Sequence, residues 1–159
     1  IFIKLLNFEI IHYGLIGFVV AIACFLGAKY CKVWSAKLSL GRVLNRGVMI
    51  TFLGGGLFLI VPYVLASNLA IGIGFIAGIF IIMFGISLIL PLCLSHALVN
   101  HKEHLGISGA FLGLYYYVLV GLITFGMSIL HTNSFSALPL YIIGLTLVLF
   151  LLSRRLKQE

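Results

Sequence analysis

The chain has 159 residues, of which 63% are hydrophobic and 8% charged, with a mean hydropathy of +1.29 and a formal net charge of +7. A water-soluble domain of this size covers its surface with about a quarter charged residues, so a soluble globular domain is excluded. The apolar runs between the charges are long enough to cross a hydrocarbon core of about 30 Å. They lack the polar alternation of a membrane β-barrel strand, which leaves an all-α integral membrane protein.

Five spans are predicted, over about 8–28, 43–66, 70–94, 104–130 and 137–153. In the first, Gly14, Gly17, Ala21 and Ala28 share one face. Lipid gives apolar helices no hydrophobic reason to associate, so small residues that permit close approach mark packing faces. The loop after it is basic, with Lys29, Lys32, Lys37, Arg42 and Arg46. The second span carries a weaker stripe, and its Gly54–Gly55–Gly56 run reads as local flexibility or close packing.

The third span places Gly74, Gly78 and Gly85 on one line, beside a row of Phe84, Ser87, Pro91 and Ser95. Pro91 removes a helical hydrogen bond and predicts a kink. A dense polar turn follows, with His96, His101, Lys102, Glu103 and His104, and reads as the joint between two spans. In the fourth span Gly106, Gly109, Gly113, Tyr117, Gly121, Thr124, Ser128 and His131 fall within one stripe, including a GxxxG pair at Gly109 and Gly113. Tyr117 lies on that stripe, where a buried phenol wants a partner; it either packs or lines a cavity. The fifth span is apolar all round and opens at Pro139.

Nine of the ten basic residues fall in the first loop, the third loop and the C-terminal tail, with Lys4 alone on the other side. The positive-inside rule therefore puts the C-terminus in the cytoplasm and residue 1 outside. The same rule accounts for the charge without a nucleic-acid partner. A chain that starts outside, with Ile1 and an odd number of spans, is expected to continue upstream into further spans. Cys24, Cys31 and Cys93 have no metal-ligand spacing, and the histidines lie near span ends, so no metal or haem site and no cofactor are expected. There is no Asp, and Glu9, Glu103 and Glu159 are all terminal or in loops. Intramembrane acid–base chemistry has no carboxylate to use, and an enzyme is disfavoured.

The run GISLILPLCLSHALVNHKEHLGISGAFLGLYYYVLVGLITFGMSIL at 85–130 resembles the tenth and eleventh helices of the major facilitator superfamily, and more narrowly the drug-resistance exporters of the Bcr/CflA type. The matching positions are Pro91, Ala97 and Leu98 before the turn and Gly106, Ala110, Leu112 and Gly113 after it. Residues 13–30 and 42–60 are similar to the eighth and ninth helices, and LPLYIIGLTLVLFLLSRR to the twelfth. The loop at 27–42 departs from the family's motif: Gly27, Gly41 and Arg42 are present, but its Asp is missing.

The resemblance implies helices 8–12 of a twelve-helix secondary transporter. Its expected partners are a small-molecule substrate, protons, the lipid bilayer of the bacterial inner membrane, and the N-terminal half of the same transporter. The third span would line the central cavity, with Phe84, Ser87, Ser95 and Tyr117 as candidate substrate contacts. The first and fourth spans would form the interface between halves. A metabolite importer on the same fold and a non-transporting membrane scaffold are the alternatives.

Overall fold

The computed structural model describes residues 10–65, 67–99, 105–129 and 137–155. Among these residues every regular element is a helix: α1 (Ile10–Lys37), α2 (Leu40–Val64), α3 (Asn68–Val99), α4 (Leu105–Ile129) and α5 (Ala137–Arg155). The many Ile and Val residues would weigh against helix in water. In lipid the demand that each N–H find a carbonyl within its own segment overrides that preference.

Two helices are longer than hydropathy predicts. α1 runs to Lys37, nine residues past the expected end at 28, so the anticipated basic loop is largely helical. Nothing in residues 29–37 breaks a helix, since they include neither Gly nor Pro; apolarity ends there but helicity does not. The connection to α2 is only Leu38 and Ser39. Leu38 N–H donates to Trp34 O at 2.8 Å, and extended Ser39 (φ −63°, ψ 149°) receives Arg42 N–H at 2.9 Å. α3 likewise continues to Val99, through Pro91. At the far end of α2, Pro62 lies within the helix and Leu65 N–H closes it on Val61 O at 3.1 Å.

α2 and α3 form the central pair and pack antiparallel, α1 lies against α3, and α5 lies against the other flank of α2. Neighbours therefore run α1–α3–α2–α5. Two apolar clusters occupy the two ends of the central pair. One holds Phe58, Val61, Ile71, Phe75 and Ile82, with the Phe58 and Phe75 rings 4.4 Å apart. The other holds Cys31, Val43, Leu44, Leu88 and Leu92, and joins α1 to the pair. α4 only grazes α3.

The bundle is apolar outside as well as inside: Phe18, Phe25, Tyr63, Ile73, Phe111 and Ile129 are all exposed. Such a surface is unworkable in water and expected in lipid. By length and composition Ile16–Lys37, Leu40–Val64, Leu69–Val99 and Gly106–Ile129 can each cross a membrane, and the apolar part of α5, Leu140–Leu152, is shorter. The fold is an all-α membrane bundle. The expected turn at 100–104 and the joint at 131–136 lie outside the described residues.

Candidate functional site

Among the described residues the most extensive helix contact is the α2–α3 seam. Leu44, Gly47, Thr51, Gly54, Phe58 and Val61 are all buried, at alternating intervals of three and four. Ile71, Phe75, Gly78, Ile82, Gly85, Ile89 and Leu92 answer with the same alternation on α3. That spacing is the one used where helices cross at about +20°. At its centre Gly85 meets Thr51 and Gly47. A Cβ on Gly85 would lie 2.8 Å from Thr51 N and 2.9 Å from Gly47 O, and one on Gly47 would lie 3.2 Å from Gly85 O. The blocking atoms are backbone and cannot swing aside. Thr51 turns its hydroxyl onto Gly47 O of its own helix at 2.9 Å, so this buried polar group is satisfied locally.

Gly74 and Gly78 are occupied by Val61 and by Phe58 respectively. In the glycine run of α2, Gly54 packs on Ile82 and Gly55 on Ile143 of α5, whereas Gly56 has open space. The weak stripe expected on α2 is thus the most fully used face in the bundle. A search for small residues overlooks it because Leu44, Phe58 and Val61 supply half of it. Its interval alternation is the sequence signal.

The α1–α3 seam turns on a residue the stripe reading passed over. Gly27 faces Ser87 Cβ and Phe84 O, which a Cβ would approach to 2.6 and 2.8 Å. Gly14 and Gly17, the expected packing glycines of this helix, meet nothing within 4 Å. Phe84 stacks edge-on against Tyr30, which in turn stacks against Trp34, each with centroids 5.9 Å apart. Of the four candidate substrate contacts, Phe84 and Ser87 are therefore half-buried in this seam. Ser95 is exposed further along α3. Tyr117 is 73% exposed on α4, its ring edge-on to Tyr116 at 5.5 Å. Phe84 and Ser87 come together; Ser95 and Tyr117 do not join them.

α4 has no buried residue between Gly106 and Ile129. Its glycines Gly106, Gly109, Gly113 and Gly121 have no heavy atom of another element within 4 Å of a would-be Cβ. The stripe that predicts close packing is present, and among the described residues no other helix packs closely on its glycines. A hydrogen bond tethers α4 to α5: Tyr141 donates its hydroxyl to Ile123 O at 2.7 Å, beside Gly126. Thr124 hydrogen-bonds back to Val120 O at 2.7 Å. Pro91 is exposed on α3 and leaves the Ser87 carbonyl without its helical donor.

His96 is exposed on α3, while His101, His104 and His131 lie outside the described residues, as do Glu9, Glu103 and Glu159. Among the described residues no three His, Cys, Asp or Glu side chains group as metal ligands. What they offer is hydroxyls, aromatic rings and close helix contacts, which suit packing and the binding of apolar molecules.

No family model and no solved structure matches the chain. It is 28% identical over 145 residues to an uncharacterized transporter of Rickettsia felis (strain ATCC VR-1525 / URRWXCal2). The match covers 86% of this chain and 35% of that protein, so the chain spans about a third of its relative's length. This similarity and the apolar helices together support a multi-pass membrane protein.

Proposed function

We propose that the chain is part of a secondary transporter of the major facilitator type and works in proton-coupled efflux of small, partly apolar compounds. The observation that carries the reading is the α4 face: a glycine stripe suited to close contact whose glycines meet no other helix among the described residues. The distant relative named as a transporter supports the transport role. In alternating access, one helix bundle rocks against another around a site near the membrane midplane. The α4 stripe is the sliding surface in this scheme, and its glycines let backbones pass closely. α3 faces the substrate path, and Tyr117 contributes an adaptable ring contact. The cytoplasmic membrane of a bacterium is the compartment, with the C-terminus inside. The role is not enzymatic.

The test uses the transport-competent protein that contains this chain. Gly113→Leu is expected to lower efflux at least tenfold while insertion stays normal, and Tyr117→Ala to change which compounds are exported. Undiminished efflux in Gly113→Leu would remove the interface role from α4. An unchanged resistance spectrum in Tyr117→Ala would reduce that ring to packing.

A further inference from the structure

The corner where α1 turns into α2 carries Lys29, Lys32, Lys37, Arg42 and Arg46, all exposed. Their placement on the helices is more informative than their number. On α1 the buried side runs through Ala23, Gly27 and Cys31, with Trp34 half-buried beside it. At 100° per residue Lys29 and Lys32 fall on the opposite side. On α2 the buried side runs through Val43, Leu44, Gly47 and Val48, and Arg42 and Arg46 again lie opposite. The cations therefore ring the outer perimeter of the bundle and do not line a seam.

Depth follows from length. α1 has 28 residues, about 42 Å at 1.5 Å per residue, against about 30 Å of hydrocarbon. The uncharged stretch of α1 ends at Ala28, and Lys29 is the first of these cations; nine further helical residues, about 14 Å, follow from Lys29 to Lys37. Lys29–Lys37 thus runs as helix through the headgroup layer. Aromatic rings mark the same level: Tyr30 stacks on Trp34, and the Arg46 guanidinium lies 5.2 Å from the Trp34 ring centroid. Arg42 Nε donates to Ser39 Oγ at 3.1 Å, which orients its guanidinium at the start of α2. No acidic residue occurs on α1, α2 or α3, so no carboxylate of these helices neutralises the group.

We propose that this corner binds the phosphate headgroups of anionic phospholipids. Lys29, Lys32, Lys37 and Arg42 supply the charge, and the Tyr30–Trp34–Arg46 stack fixes the depth. Juxtamembrane cations attract anionic lipid in this way when they stand at the surface, and long Lys and Arg side chains reach the headgroups from a helix flank.

Trp34 is the chain's one tryptophan and reports on the site directly. The 159-residue chain is reconstituted in phosphatidylcholine vesicles in which brominated phosphatidylglycerol or brominated phosphatidylcholine replaces part of the lipid. Quenching of Trp34 is expected to show at least about a fivefold preference for phosphatidylglycerol, what one juxtamembrane cation contributes. That preference should fade in 0.5 M salt, as screened surface charge must. It should also vanish when Lys29, Lys32, Lys37 and Arg42 are all changed to Gln, with quenching by brominated phosphatidylcholine unchanged as the control for insertion. Equal quenching by the two lipids at low salt overturns the proposal. So does a preference that survives the fourfold substitution, or a helical, inserted chain whose Trp34 neither lipid quenches. None of these outcomes bears on transport, so the lipid site and the transport reading fail separately.

Discussion

At the scale of residues, the glycines of this chain divide into two kinds that look alike in the sequence. Gly85 faces backbone atoms of Thr51 and Gly47, whereas Gly113 faces nothing within 4 Å. A methyl group at Gly85 has to push α2 away from α3, and overpacking of that kind costs about 1–3 kcal/mol. A methyl group at Gly113 meets no obstacle and removes the helix penalty of glycine, up to about 1 kcal/mol. Gly85→Ala is therefore expected to lower the unfolding midpoint of the reconstituted chain, followed by circular dichroism during titration with a denaturing detergent. Gly113→Ala should leave it unchanged or raise it. Equal effects at the two positions would mean that the α2–α3 contact is not the tight one.

Among the elements, α2 and α3 share a continuous seam, while among the described residues α4 has only a light contact with α3 and the Tyr141 hydroxyl on Ile123 O. Interhelical hydrogen bonds in membranes average about 0.6 kcal/mol, too little to hold a helix of 25 residues by themselves. Local opening should follow this inequality. Amides of α4 are expected to exchange with deuterated solvent sooner than those of α2 and α3, by tenfold or more in detergent. Tyr141→Phe should widen the gap by accelerating α4 and α5 and leaving the α2–α3 seam as slow as before. If α4 proved as protected as α3, a contact beyond that tether would have to hold it.

For the whole molecule, the basic corner and the far end of α2 should lie on opposite sides of the membrane, because α2 has 25 residues and spans about 37 Å. Ser35 precedes α2 and Ser67 follows it, and both are exposed. With Cys24, Cys31 and Cys93 replaced by Ala, a membrane-impermeant maleimide applied to intact cells is expected to label Ser67→Cys and to spare Ser35→Cys until the cells are opened. The reverse pattern would invert the orientation inferred from charge, and labelling of both from outside would mean that α2 does not cross.

Class and element number were legible in the sequence because both depend on one-dimensional quantities. Long uncharged runs must bury their own hydrogen bonds, and 20 or so apolar residues match a bilayer. Helix ends were not legible: residues 29–37 stop being apolar without ceasing to be helical. Nor could spacing tell which stripe has a partner. Gly27 and Gly47 pack tightly, and Gly14 and Gly109 do not, although each is a glycine in an apolar helix. Partnering depends on which helices stand side by side, here α1–α3–α2–α5, and on where two backbones cross. Both are set by contacts between positions far apart in the chain, so only the tertiary structure decides them.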